Sequence, residues 1–467
     1  MTEPMRWAQL LSPERERPSR PGRLPDERRS CFDMDYDRIV YSSSLRRLQD
    51  KAQVFPLQEN DFTRTRLTHS LETSALGRSL GHKAGRWIQD RQKGLPNDFP
   101  DQLAALLQVA GLVHDLGNPP FGHYGEDLIR QWFLREKSGR LAGLSEEEFS
   151  DFQYFDGNAQ TIRILARLQF LKDRHGINFC FGTLGTLMKY PWASSDARAR
   201  ARERGKFGFF LSEGDLGRRI IEKTGLRGRH PATYLLEAAD DLAYLFADLE
   251  DAVKKGHLSW EGLEGELVDD DALWSGFQEA RQALIRDVGQ LKSQRVPREE
   301  FDVLAAHFFK ITGQVLGIKA VCGEFAGAYE EIMAGTYRRR SLLEAESVRP
   351  LIDRVREVCR TYAYQNREVL SLELVAQSVL TGLLDRFIPA LLSAEINEPR
   401  SESGKLYRMI SRNFEYIQKL DQHSVYHPDA ELSPYQRVQL GIDFISGMTD
   451  SYALNLHKRL LGLALPG

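Results

Sequence analysis

The sequence predicts an all-α fold on three observations. Apolar residues recur at helical spacing through most of the chain from Met34 onward. Hardly any window alternates apolar with polar residues for long enough to argue a strand. Helix punctuation falls where the periodicity changes: Gly117, Asn118, Pro119 and Pro120 close one periodic stretch, and Pro231, suited to a first helical position, opens another.

Three helices matter most. The first spans about residues 68–88, with Leu71, Ala75, Leu76 and Leu80 as its apolar stripe and with Arg66 and His69 near its start. The second spans about 102–116, is apolar almost all round and should therefore be buried, and carries His114 and Asp115 in its last turn. The third, about 231–255, carries Asp240, Tyr244 and Asp248 at i, i+4 and i+8 along one stripe. Further helical segments fall at about 342–359, 369–392 and 435–461. The stretch up to about residue 30, with Pro13, Pro18, Pro21 and Pro25 among arginines and acids, reads as an irregular arm. Residues 136–151 and the charged run 196–206, with Arg198, Arg200, Arg202 and Arg204, read as surface loops or exposed helix ends.

Composition sets broad bounds. At 467 residues the chain fits either two joined helical lobes or one large domain, and 42% hydrophobic with 28% charged residues is enough for a substantial core. A net charge of -3 gives no overall pull toward nucleic acid or anionic lipid, so any polyanion site must be local. Cys31, Cys180, Cys322 and Cys359 lack the close pairing of a zinc ribbon or redox dithiol and read as reduced thiols. The arginine- and proline-rich start lacks an apolar signal core, and no run of about 18 apolar residues follows, so the expectation is a soluble cytoplasmic protein without a membrane partner.

The chemistry concentrates at His114-Asp115. Residues 105–113 before it are predominantly apolar, and an ionisable pair there is costly to bury without a partner. A metal ion is one such partner. Neighbouring helical positions diverge by about 100°, so only an ion off the helix end reconciles the two side chains. His69 and Asp240 would complete an imidazole and carboxylate set suited to Mn, Fe, Ni or Zn with positions open for water or substrate. Taken singly, each has an ordinary reading as a surface or core histidine or a helix-surface acid. After the Pro119-Pro120 turn, His123 and Glu126 stand three apart on a short helix, where the carboxylate can orient the imidazole. No glycine loop of the G-x-x-x-x-G-K-[ST] pattern occurs.

Several stretches together carry a family resemblance: YSSSLRRLQDKAQVFPL from Tyr41, RTRLTHSLE from Arg64, HDLGNPPFGHYGE from His114, KYPW from Lys189, HPATYLLEAADDLAYLFADLEDA from His230 and GMTDSYAL from Gly447. In these the chain resembles the HD-domain phosphohydrolases, and within them the bacterial deoxyguanosine triphosphate triphosphohydrolases, over almost its whole length. The resemblance implies an HD-type helical fold: an arm over 1–33, a catalytic core over 34–260, and a C-terminal helical region over 261–467 packed on that core. It implies His69, His114, Asp115 and Asp240 as ligands of a divalent ion, Mg and Mn included, with Asp240 preferred over Asp241. It implies His123, supported by Glu126, beside the α-phosphate.

Arg66 is the expected α-phosphate or sugar contact; Lys189, Tyr190 and Lys206 resemble the triphosphate-binding groups, Gln53 a sugar contact, and Tyr244 and Asp248 further substrate-facing positions. Asn118 departs from relatives that place histidine there. The implied reaction is water attack at the α-phosphorus of a deoxynucleoside triphosphate, dGTP first, releasing nucleoside and triphosphate. Alternative readings are another HD hydrolase, a nucleotidase or cyclic-nucleotide phosphodiesterase, or a non-catalytic nucleotide or nucleic-acid sensor. A homo-oligomer is expected, and the run from Arg198 to Arg204 is a candidate surface for a single-stranded nucleic-acid effector, set against the ordinary reading of a solvated charged face.

Overall fold

The computed structural model describes residues 3–18, 29–53, 64–139, 141, 143–169, 173–201, 205–294, 296–365 and 367–463. Among these residues the architecture is helical, with isolated β-bridges and no strand, as the periodicity predicts. Arg202 and Arg204 lie outside the described residues.

The helix Arg66–Arg91 opens on a capping box in which the Thr65 and Thr68 side chains each bond the other's backbone N–H. Its buried face differs from the predicted one. Leu71 is 49% exposed, whereas His69, Ser70, Thr73, Ser74, Gly77, Gly81 and Gly85 are buried with Leu80, Ala84 and Ile88. The reason is the neighbour. The helix Phe99–Val113 is so apolar that it is buried along most of its length, and it lies against the small-residue face at backbone contact distance. A Cβ on Gly81 would stand 2.6 Å from Ala104 Cα, and one on Gly77 2.8 Å from the Leu107 carbonyl oxygen. From the other side, a Cβ on Gly111 would meet Ser74 Cα at 2.9 Å.

The helix Pro231–Lys254 starts with proline at its first turn and His230 as its cap, and it packs on both of these helices. The helix Arg298–Gly327, which the predicted segments omit, packs against it. The first hydrophobic cluster runs from Met5 and Trp7 through these helices to Cys359. The opening residues are therefore docked: Trp7 is 2% exposed and its Nε1 donates to Tyr329 Oη at 2.7 Å. A second cluster joins the helix Gly122–Glu136 to Arg367–Leu392, Pro434–Ser446 and Asp450–Leu460. The helix expected over 435–461 is broken at Gly447–Thr449, because Thr449 caps a new helix by accepting from Tyr452 N–H. Residues Val369–Leu392 are long and apolar enough to cross a membrane by length and composition, yet they carry Glu373, Asp385 and Arg386 and supply the second cluster with Leu380, Leu383, Leu384 and Phe387. All four cysteines are free thiols.

Backbone atoms cannot yield as a side-chain tip can, so enlarging Gly81 must separate the two helices. Gly81→Val is expected to lower unfolding free energy by about 2 kcal/mol or more and to weaken divalent-metal binding in parallel, read by denaturant melts and metal titration. A variant with both unchanged would refute the close-approach constraint.

Candidate active site

The helix Phe99–Val113 ends just before His114, so His114 and Asp115 stand in the turn that follows rather than inside the helix. His114 keeps helical backbone angles, φ -56° and ψ -31°, so the two side chains still leave the backbone in different directions and approach at their tips, Nε2 lying 3.5 Å from Asp115 Oδ1. Ligand atoms of His69, His114 and Asp115 lie within 4.8 Å of one another. Asp240 joins from the third helix: its Oδ1 is 2.9 Å from His69 Nε2 and 3.3 Å from His114 Nε2. The two imidazoles meet edge to face, centroids 5.3 Å apart. Asp241, the adjacent carboxylate, turns elsewhere, accepting from Ser341 Oγ at 3.0 Å with Arg356 at 3.7 Å.

The donor set fits a divalent ion on its own terms. His114 Nδ1 donates to the Gly111 carbonyl at 2.8 Å, which turns the buried Nε2 toward the cluster, where Asp240 Oδ1 stands at 3.3 Å without an aligned hydrogen bond. Asp115 is oriented at both oxygens: Asn118 Nδ2 donates to Oδ1 at 2.6 Å and Arg66 Nη1 to Oδ2 at 2.6 Å. Burial pushes the Asp115 carboxyl upward, but Arg66 and the imidazoles outweigh it and hold the group down at about 2. Burial likewise opposes charge on His114, yet Asp115 and Asp240 prevail and raise it to about 9. Two imidazoles and two ionised carboxylates in one cluster, open to solvent on the Asp240 side, are the ligand types that hold such an ion.

Beyond the cluster the chain reverses through Phe121 and Gly122, both in the left-handed region with φ 63° and 61°. A Cβ on Gly122 would strike Arg66 Nη2 at 2.3 Å, so this turn lies directly on the arginine that holds Asp115. His123 follows, exposed, with Nδ1 3.2 Å from Glu126 Oε2. Glu126 is buried; its Oε1 accepts from Gly157 N–H at 2.6 Å. Burial pushes this carboxyl up, while His123, Lys206 and Arg130 more than reverse the effect and keep it ionised. Lys206 reaches the same corner, paired at 2.6 Å with Asp156.

Residues 66–170 match the HD domain family. The chain is 37% identical to a deoxyguanosinetriphosphate triphosphohydrolase-like protein of Listeria innocua, with 98% of this chain and 100% of the relative covered. It is 35% identical to a protein of the same name from Pseudomonas aeruginosa, covering 99% and 100%, and 30% identical to the deoxyguanosinetriphosphate triphosphohydrolase of Yersinia enterocolitica, covering 92% and 93%. The chain belongs to the deoxyguanosinetriphosphate triphosphohydrolase family of HD-domain proteins.

In this family member the remaining expected residues are distributed as follows. Lys189 pairs with Glu237, about one turn before Asp240, and lies 5.9 Å from the centroid of the buried Tyr190 ring. Arg229 binds the same Glu237. Tyr244 is half-buried on the Asp240 helix, and burial, with Asp241 and Asp240 nearby, raises its hydroxyl well above the usual range. Asp248 is buried, accepts from Tyr364 Oη at 2.5 Å and is pushed up to about 7, burial outweighing that bond. Gln53 sits beside the start of the His69 helix, since Arg66 N–H bonds the Lys51 carbonyl at 2.8 Å and Ala52 bridges Thr65. The Gln53 Oε1 and Arg66 Nε atoms are buried without partners.

Sequence reasoning missed Arg229, Arg356 and Tyr364. None sits in a pattern that marks it, although Tyr364 ends a π-helical stretch, Cys359–Tyr364, a distortion frequent at functional sites.

A divalent ion must displace the proton from the His114 ring, which below about pH 9 is protonated without it. Apparent metal affinity should therefore fall as pH is lowered, by about tenfold per unit from this group alone; titrations at pH 6, 7 and 8 check it, and a flat profile would contradict it. Asn118→Ala should weaken binding by about 10- to 100-fold with the fold intact by circular dichroism.

Proposed function

We propose that this protein hydrolyses a deoxynucleoside triphosphate, dGTP first, to the nucleoside and inorganic triphosphate. The observation that carries the reading is the convergence of the His69, His114 and Asp115 ligand atoms with Asp240, whose Oδ1 lies 3.3 Å from His114 Nε2, beside Arg66. Full-length similarity to a relative named for dGTP hydrolysis supports the substrate.

His69, His114, Asp115 and Asp240 would hold a divalent ion, which when bound supplies charge neutralisation at a phosphate oxygen and lowers the pKa of water. The rest of the chemistry belongs to the chain. Arg66, buried and already fixed by Asp115, presents its unpartnered Nε edge to the α-phosphate. Lys189, Tyr190 and Lys206, with Arg229 and Arg356, form the cationic and aromatic surroundings of the β- and γ-phosphates. Gln53 contacts the sugar, and Tyr244 and Asp248 flank it.

Water adds to the α-phosphorus, and the bond to the 5′-oxygen breaks. The departing oxygen requires a proton. His123 is placed to give it, because Glu126 holds the ring at Nδ1 and leaves Nε2 outward. The water oxygen ends in triphosphate and the proton from His123 ends on the nucleoside hydroxyl; of the two protons the water brings, one restores His123 and the other leaves to solvent or stays on triphosphate.

Incubation with each deoxynucleoside triphosphate in ¹⁸O-water, followed by chromatography and mass spectrometry, tests this directly. The expected products are deoxyguanosine without label and triphosphate carrying one ¹⁸O. Monophosphate with diphosphate, or label in the nucleoside, would overturn the reading. His123→Ala should lower kcat by about 10²- to 10⁴-fold while metal content stays constant.

A further inference from the structure

The closing segment, Gly447 to Leu454, is far from the metal cluster in sequence, yet two of the chain's buried charges join it to both loops of the site. Asp450, 2% exposed in the first turn of the last helix, accepts two backbone N–H groups, Phe121 on Oδ1 at 2.9 Å and Ala52 on Oδ2 at 2.9 Å. Lys51, also 2% exposed, answers from the other direction: its Nζ donates to the Asn118 carbonyl at 2.5 Å and the Ser446 carbonyl at 3.0 Å.

The attachment points are specific. Phe121 is a bulky residue held in the left-handed region, a conformation that persists only where surrounding contacts enforce it, and Asp450 bonds its N–H. Two residues later comes His123. Ala52 immediately precedes Gln53, and Asn118 is the residue that orients Asp115. A carboxylate accepts both N–H bonds at once, which no neutral side chain of its shape does.

We propose that Lys51 and Asp450 are positioning residues of the hydrolytic reaction, clamping the 118–122 turn to the Gln53 segment so that His123 and Gln53 address one substrate. The proposal rests on the function proposed above. It makes the C-terminal segment a working part of the site: acting through His123 it governs turnover, and acting through Gln53 it governs discrimination at the sugar.

Asp450→Asn keeps shape but strands one of the two N–H donors. The expected result is a loss of kcat of about 100-fold, a lower ratio of dGTP to GTP kcat/KM, and a displaced His123 ring resonance in a ¹³C-histidine NMR spectrum, with His69 and His114 resonances and metal content unchanged. Lys51→Met should move the same readouts in the same direction, and serves where Asp450→Asn fails to fold. Asn455→Ala, at an exposed position one turn further along the same helix, should leave them all at wild-type values. A merely structural role would reduce the active fraction alone, leaving KM, the sugar ratio and the His123 resonance untouched, and that result would overturn the proposal. If the wild type releases no triphosphate, the functional reading fails separately, and the NMR comparison still decides whether the clamp sets His123.

Discussion

Gly77, Gly81 and Gly85 remove one side chain per turn from the His69 helix where it faces the helix leading to His114. With Gly111 on the facing helix they let the two backbones approach at contact distance, and the approach fixes the distance between an imidazole on one and a His-Asp pair at the end of the other. The constraint is steric and therefore stiff: dispersion contacts hold the backbones together, and any added carbon meets main-chain atoms that cannot rotate away. The Asp240 helix then packs on the pair, and its carboxylate arrives between two histidines already placed.

That arrangement explains what was legible in the sequence. His114-Asp115 stands out because an apolar helix ending in two ionisable groups has no cheap explanation, whereas the choice of Asp240 over Asp241 comes from the family resemblance, with which its stripe of Tyr244 and Asp248 agrees. The all-α class followed from periodicity alone. The buried face of the His69 helix was misread because the rule that large apolar residues point inward fails where packing is set by small ones; Leu71 faces solvent and serines and glycines face the core. The cue was present as glycine at every fourth position, a close-packing pattern rather than a hydrophobic one.

Other parts were illegible for a different reason. The break after Ser446 lies between two stretches that are apolar at the same spacing, and only the Thr449 cap distinguishes two helices from one. Arg356 and Tyr364 acquire meaning only through Asp241 and Asp248, partners brought to them by tertiary packing. Asn118 was visible as a departure from relatives with histidine, but its bond to Asp115 Oδ1 could not be read without the turn that brings residue 118 back beside residue 115. Local pattern finds residues whose burial is expensive; it does not find the partners that make burial affordable.

Those partners also bear on selectivity. Arg66 is held by Asp115, Lys189 and Arg229 by Glu237, and Lys206 by Asp156, so the cations of the proposed phosphate path already have carboxylate neighbours. Such pairing keeps half-buried positive charges ordered and avoids the penalty of leaving them desolvated and alone. It also means that an anion gains only the difference between its own attraction and that of the resident carboxylate. A monophosphate can compete at one such pair and gains little, whereas a triphosphate presents charge to several pairs along its length within one binding event. On the proposed reading, preference for a triphosphate then follows from the spacing of these pairs as much as from any single contact, and a chain with a net charge of -3 can still bind a polyanion tightly at one place.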